Sequence, residues 1–123
     1  MKHSSTIHVG DKTYELYYTL GDMRRVEKEL GRSLLSIVLA GYDAVALANI
    51  DFIMASLRYG LHGNHTPTEE GELYDFIDTW CETETLDTIS AMLIKAYLDS
   101  GFFIPRNGET KATTPKKASP SPA

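Results

Sequence analysis

The chain has 123 residues, 42% hydrophobic and 24% charged, with a formal net charge of −5 at pH 7 and one cysteine, Cys81. That length fits one compact domain, and a lone cysteine excludes an internal disulfide. Most of the acids lie between residues 69 and 99, a balance that opposes nucleic-acid binding, which depends on clustered Lys and Arg.

The opening "MKHSSTIHVG" has no apolar core and does not read as a secretory signal. Residues 5 to 9, "STIHV", and 13 to 18, "TYELYY", alternate and carry β-branched or aromatic side chains, the pattern of strands. Gly10-Asp11-Lys12 forms the turn between them, with glycine available for positive φ. In this β-hairpin Ile7 and Val9 share one face, and Tyr14, Leu16 and Tyr18 another. A lone hairpin is marginal in water, so its apolar face must pack on something.

Thr19 reads as the cap of a first helix running to about Leu30, with Asp22 near the positive helix end and Gly31 as a left-handed stop. Glu27 falls on the same helical face as Leu20, Met23, Val26 and Leu30. A buried, unpaired carboxylate is costly. Glu27 therefore either sits at a rim in water, or accepts bonds from amides around Gly31 to Ser33 or from an arginine, so fixing how the first two helices meet. Ser33 caps a short second helix through Ala40, ended by Gly41.

Asp43 reads as the cap of a third helix over residues 44 to 59, closed by Gly60. Its polar members fall in two narrow stripes, Asn49 with Ser56 and Asp51 with Arg58. Between them one side holds Leu47, Ile50, Ile53, Met54 and Leu57, and the other Val45, Ala48, Phe52, Ala55 and Tyr59. Such a helix is either central in the core or keeps one side for a partner. Its apolar run is too short and too interrupted to span a bilayer, so a cytoplasmic protein without a membrane segment is expected.

"GLHGNHTPTEEGE" reads as a loop leading to a helix start at Thr66-Pro67-Thr68-Glu69, with Thr66 as the cap and Glu69 reaching back. A fourth helix follows with Leu73, Phe76, Ile77 and Trp80 at i, i+3, i+4, i+7, and acids on the opposite, solvated face. Thr85 caps a fifth helix over residues 86 to 99, with Leu86, Ile89, Leu93, Ala96 and Tyr97 in one stripe. "FFIP" beyond it either folds back on the core or docks on another chain. From Arg106 onward the composition turns to Pro, Ser, Thr and Lys, which cannot bury enough surface to order itself. The reading is thus an α+β, mainly α fold: an N-terminal β-hairpin on a bundle of about five helices over residues 1–105, and a disordered tail over 106–123.

Little in the chain points to catalysis. His62 and His65 have a plausible spacing for two metal ligands, but His3, His8 and Cys81 supply no second pair at finger or ribbon spacing. Glu82 and Glu84 beside Cys81 oppose thiolate formation, and Cys81 reads as a packing residue. There is no GxSxG, P-loop or dinucleotide fingerprint. Neither an enzyme nor a cofactor or metal protein is expected.

The hairpin ending in "YELYYTLGDMRRVEKELG", the short "SLLSIV" helix, "IDFIMASLRYGLHG", "TPTEEGELYDFIDTW" and the final "SGFF" together resemble the tail assembly chaperones of long-tailed (siphovirus-like) bacteriophages and their relatives in prophages and gene transfer agents. The likeness covers residues 5 to 104, with Val26 where the family pattern prefers Leu. It implies a non-enzymatic protein that keeps the tape-measure protein soluble, helps recruit tail-tube subunits, and is absent from the finished particle. Many members are also made in a longer, frameshifted form, for which "TPKKASPSPA" would be a flexible connector. The residue candidates for gripping a partner, or a second copy of the chain, are Leu47, Phe52, Met54, Tyr59, Phe102, Phe103 and Ile104. Thr19, Glu27, Gly31, Thr66 and Trp80 are the structural candidates. The competing expectation is a small phage or bacterial regulator, anti-repressor-like, that binds another protein's helix.

Overall fold

The turn of the hairpin is built as its glycine predicts. Of its two central residues only Gly10 has positive φ, 64°, the glycine-first arrangement that matches strand twist. In the computed structural model, which describes residues 4–40, 49–63 and 65–103, the turn joins β1 (Ser5–Val9) to β2 (Lys12–Leu16). Ile7 pairs with Tyr14 and Ser5 with Leu16. Directly opposed residues project to one side of a sheet, so the two apolar sets form a single face. A two-residue strand, β3 (Leu61–His62), pairs with β2 through Leu16↔Leu61 and Glu15↔His62, completing a three-stranded antiparallel sheet in the order β1-β2-β3. The sequence reading had those residues in a loop.

The fold is α+β and mainly helical. Helix α1 (Leu20–Leu30) starts on a capping box: Thr19 Oγ1 accepts the Asp22 N–H at 3.1 Å, and Asp22 Oδ2 accepts the Thr19 N–H at 3.1 Å. Asp22 is buried, accepts from the Thr19 N–H and from Arg25 at 3.3 Å, and lies 3.4 Å from the His62 ring, so its carboxylate oxygens have partners. Gly31 ends α1 with φ 66°, as read. Helix α2 (Leu34–Val38) is capped by Ser33, whose Oγ accepts the Ser36 N–H at 3.3 Å.

Helix α3 (Ile50–Gly60) corrects the expected 44–59 span. Asn49 is extended (φ −124°, ψ −175°) and its Oδ1 accepts the Phe52 N–H at 2.8 Å, so a helix begins there and the chain cannot run helical through it. The expected start at Asp43 and stop at Gly41 lie outside the described residues. α3 is the central helix. Phe52, Ile53, Met54, Ala55, Ser56, Leu57 and Gly60 are all buried, so both apolar sides contribute to the core, while Ile50 at the helix start is 55% exposed and Tyr59 is half-buried. Phe52 and Met54, two of the partner-gripping candidates, are 1% and 6% exposed and pack inside the core rather than on a surface.

Helix α4 (Glu70–Trp80) also starts later than expected. Thr66 is not its cap. Glu69 is the cap: its N–H and that of Thr68, just ahead of the helix, are taken by Glu72 Oε1, each at 3.1 Å, and Pro67 is buried before them. Those two backbone bonds hold the Glu72 carboxyl below its ordinary value. A depressed folded-state value stabilises the fold above the unfolded carboxylate range, and that contribution is lost as pH falls through the folded value. We therefore expect Glu72→Ala to lower the melting temperature at neutral pH. The difference from the parent should shrink on acidification below about pH 4, and Thr66→Ala should change little at either pH.

Helix α5 (Leu86–Asp99) is capped by Thr85, whose Oγ1 accepts the Thr88 N–H at 3.2 Å, as expected. Trp80 is 1% exposed and meets Phe76 edge-on at 5.9 Å. One buried polar network joins three elements. The Tyr18 hydroxyl donates to the Ser56 carbonyl at 2.7 Å, the Ser56 and Tyr97 hydroxyls are 2.8 Å apart, and the two tyrosine rings stack at 4.0 Å. Burial keeps both phenols protonated far above the ordinary tyrosine range, and Tyr97 beside it raises Tyr18 further. They therefore serve as uncharged hydrogen-bonding groups and register the β2–α1 link, α3 and α5 against one another.

Candidate functional site

The roll of α1 decides where the site lies. Val26 is fully buried and Met23 nearly so, which turns Leu20, Arg24 and Glu27 towards one edge. In α2, Leu34, Ile37 and Val38 are buried at i, i+3 and i+4, so Leu35 falls off the buried stripe and is 51% exposed. After α5, Gly101 takes φ 84° and turns the chain. Phe103 then meets Tyr97 edge-on at 6.5 Å, while Phe102 stays 56% exposed. These three pieces enclose a groove of about 680 Å³ lined by Leu20, Met23, Arg24, Glu27, Leu34, Leu35, Phe102 and Phe103, with Gly21 at its edge. Leu20, at 65% exposed, stands open on its wall.

Glu27 joins two of these walls. Half-buried, it accepts the Leu34 N–H on Oε2 at 2.8 Å, the first amide of α2. Both sequence readings contribute: the helix is rolled so that Glu27 reaches the rim, and its carboxylate still clasps the next helix. Neither Arg24 nor Arg58 is its partner. Arg58 instead pairs with Glu29 at 2.6 Å, and Tyr59 donates to the same carboxylate at 3.2 Å. We expect Glu27→Ala to lower the unfolding free energy by about 1 kcal/mol, and Glu27→Gln, which keeps an acceptor oxygen, to lose less. Urea denaturation of the three proteins checks this.

Of the residues named from sequence as partner candidates, the groove assembles Phe102 and Phe103. Tyr59 is half-buried and tied to Glu29, while Leu47 and Ile104 lie outside the described residues. Leu20 and Leu35 were missed. Leu35 had a signal in its offset from Leu34, Ile37 and Val38; Leu20 had none, since it shares the α1 stripe with core residues.

Two other clefts are smaller and more polar. One, of about 300 Å³, lies under the hairpin turn between Tyr14, Asp11, Glu72, Asp75 and Phe76. The other, of about 280 Å³, surrounds the Arg58–Glu29 pair. Cys81 is exposed at the end of α4 rather than packed. Among the described residues no three His, Cys, Asp or Glu side chains cluster as metal ligands, and no helix is long and apolar enough to cross a membrane.

Compared with known proteins, the chain matches no family model, no curated protein and no solved structure.

Proposed function

We propose that the protein is a non-enzymatic binder of an amphipathic helix, acting as a tail assembly chaperone that keeps a phage tape-measure protein soluble and helps recruit tail-tube subunits. The supporting observation is the groove between α1, α2 and the Phe102-Phe103 segment. Three large apolar side chains there, Leu20, Leu35 and Phe102, are each more than half exposed. Covering them contributes on the order of 1 kcal/mol apiece, and a contiguous apolar surface of this kind is characteristic of interaction sites. A tape-measure chain is long and helical, and shows apolar stripes until the tail tube encloses it. Laying such a stripe into a groove is a recurrent recognition mode. The sequence resemblance over residues 5 to 104 supplies the particular client; the groove supplies the means.

The test is co-expression with a long, helical tape-measure protein, sought in a reading frame next to the gene for this chain. The parent should raise the soluble yield of that protein and co-purify with it. Leu35→Asp, which places a charge on an exposed groove position and spares the core, should do neither. Unchanged yield with the parent, or equal rescue by Leu35→Asp, would overturn the proposal.

A further inference from the structure

The groove has a basic rim on an otherwise acidic protein. Arg24, Arg25, Lys28 and Arg32 follow one another along α1 and just past its end; elsewhere among the described residues Lys and Arg occur only at positions 12, 58 and 95. Arg58 is paired with Glu29 and Lys95 with Asp99. Arg25 is held by Asp22. Arg24 lines the groove, and Lys28 stands one turn further along the same helix, exposed. Neither has an ion pair among the described residues. The one carboxylate in the groove wall, Glu27, has an oxygen already engaged by the Leu34 amide.

From this charge arrangement we infer that the groove takes an acidic amphipathic helix of another protein: an apolar stripe against Leu20, Leu35 and Phe102, with carboxylates one turn apart facing Arg24 and Lys28. The inference rests on the reading of the groove as a client site and specifies the client's chemistry. The chain's own residues beyond Phe103 fit this rim poorly, because Arg106, Lys111, Lys116 and Lys117 outweigh Glu109 and repeat the rim's sign. A second copy's α4 is acidic enough, but offers only Tyr74 as a large exposed apolar side chain.

Three fluorescent peptides of about 18 residues, long enough for five helical turns, test the point. They share one leucine stripe and carry Glu, Gln or Lys on its flanks, and anisotropy is measured with the full chain. In low salt the Glu peptide should bind about tenfold tighter than the Lys peptide, from the pairs with Arg24 and Lys28, and the gap should narrow in about 0.5 M NaCl. The double variant Arg24→Glu/Lys28→Glu should reverse the order; Arg24→Gln/Lys28→Gln should abolish the preference, and serves if the first variant fails to fold. Equal binding of all three peptides overturns the acidic-client inference and leaves the groove as a binding site. Absence of binding by any of them overturns both. A parent that sediments as a dimer, and as a monomer once Arg24 and Lys28 are changed, assigns the rim to a second copy and also overturns the inference.

Discussion

Gly60→Ala should lower the melting temperature by about 10–20 °C, the shift that an overpacking cost of about 2–3 kcal/mol produces in a domain of this size. The direction is opposite to the usual one. Gly60 is the last residue of α3 and needs no positive φ, so alanine would ordinarily stabilise by about 0.5–1 kcal/mol. Here its Cβ would stand 2.5 Å from Cε1 and Oη of Tyr18, with Cζ equally close. The ring cannot step aside. It stacks on Tyr97 at 4.0 Å, and its hydroxyl donates to the Ser56 carbonyl at 2.7 Å. Relieving the clash breaks that buried bond or parts the β2–α1 link from α3. Thermal melting followed by circular dichroism measures the shift, and a variant as stable as the parent would show that the tyrosine stack yields.

Phe52→Ala and Phe102→Ala should separate core from surface. Phe52 is 1% exposed and faces Tyr97 at 6.0 Å; its truncation leaves a cavity in the central helix and costs about 3–5 kcal/mol. Phe102 is 56% exposed, and its truncation should leave stability within about 0.5 kcal/mol while weakening capture of a client helix. Urea denaturation paired with peptide binding reads both effects. If Phe52→Ala instead left stability unaltered and removed binding, α3 would be the client face after all.

The contrast between these two phenylalanines marks what one-dimensional pattern can carry. Caps are local, so Thr19, Ser33, Gly31 and Thr85 were legible from their neighbours alone. Thr66 was misread because Thr66-Pro67-Thr68-Glu69-Glu70-Gly71-Glu72 offers overlapping helix starts, and the burial of Pro67 selects the later one. β3 was invisible because two residues have no period. Asn49 was taken as a polar stripe within a helix, although the same side chain is a strong cap. For α3, periodicity could say that nearly every face was apolar, but not what would cover each face; that depends on α1, α4 and α5 arriving from elsewhere in the chain. The groove was least legible, since the exposure of Leu20 follows from the roll of α1 and that of Phe102 from the turn at Gly101.

Trp80, the chain's single tryptophan, is enclosed beside Phe76 and takes no part in the groove wall. Its emission should report loss of the native interior and stay silent when a helix docks in the groove. An extrinsic dye on the ligand then gives occupancy, so integrity and capture can be followed as separate optical channels in one cuvette.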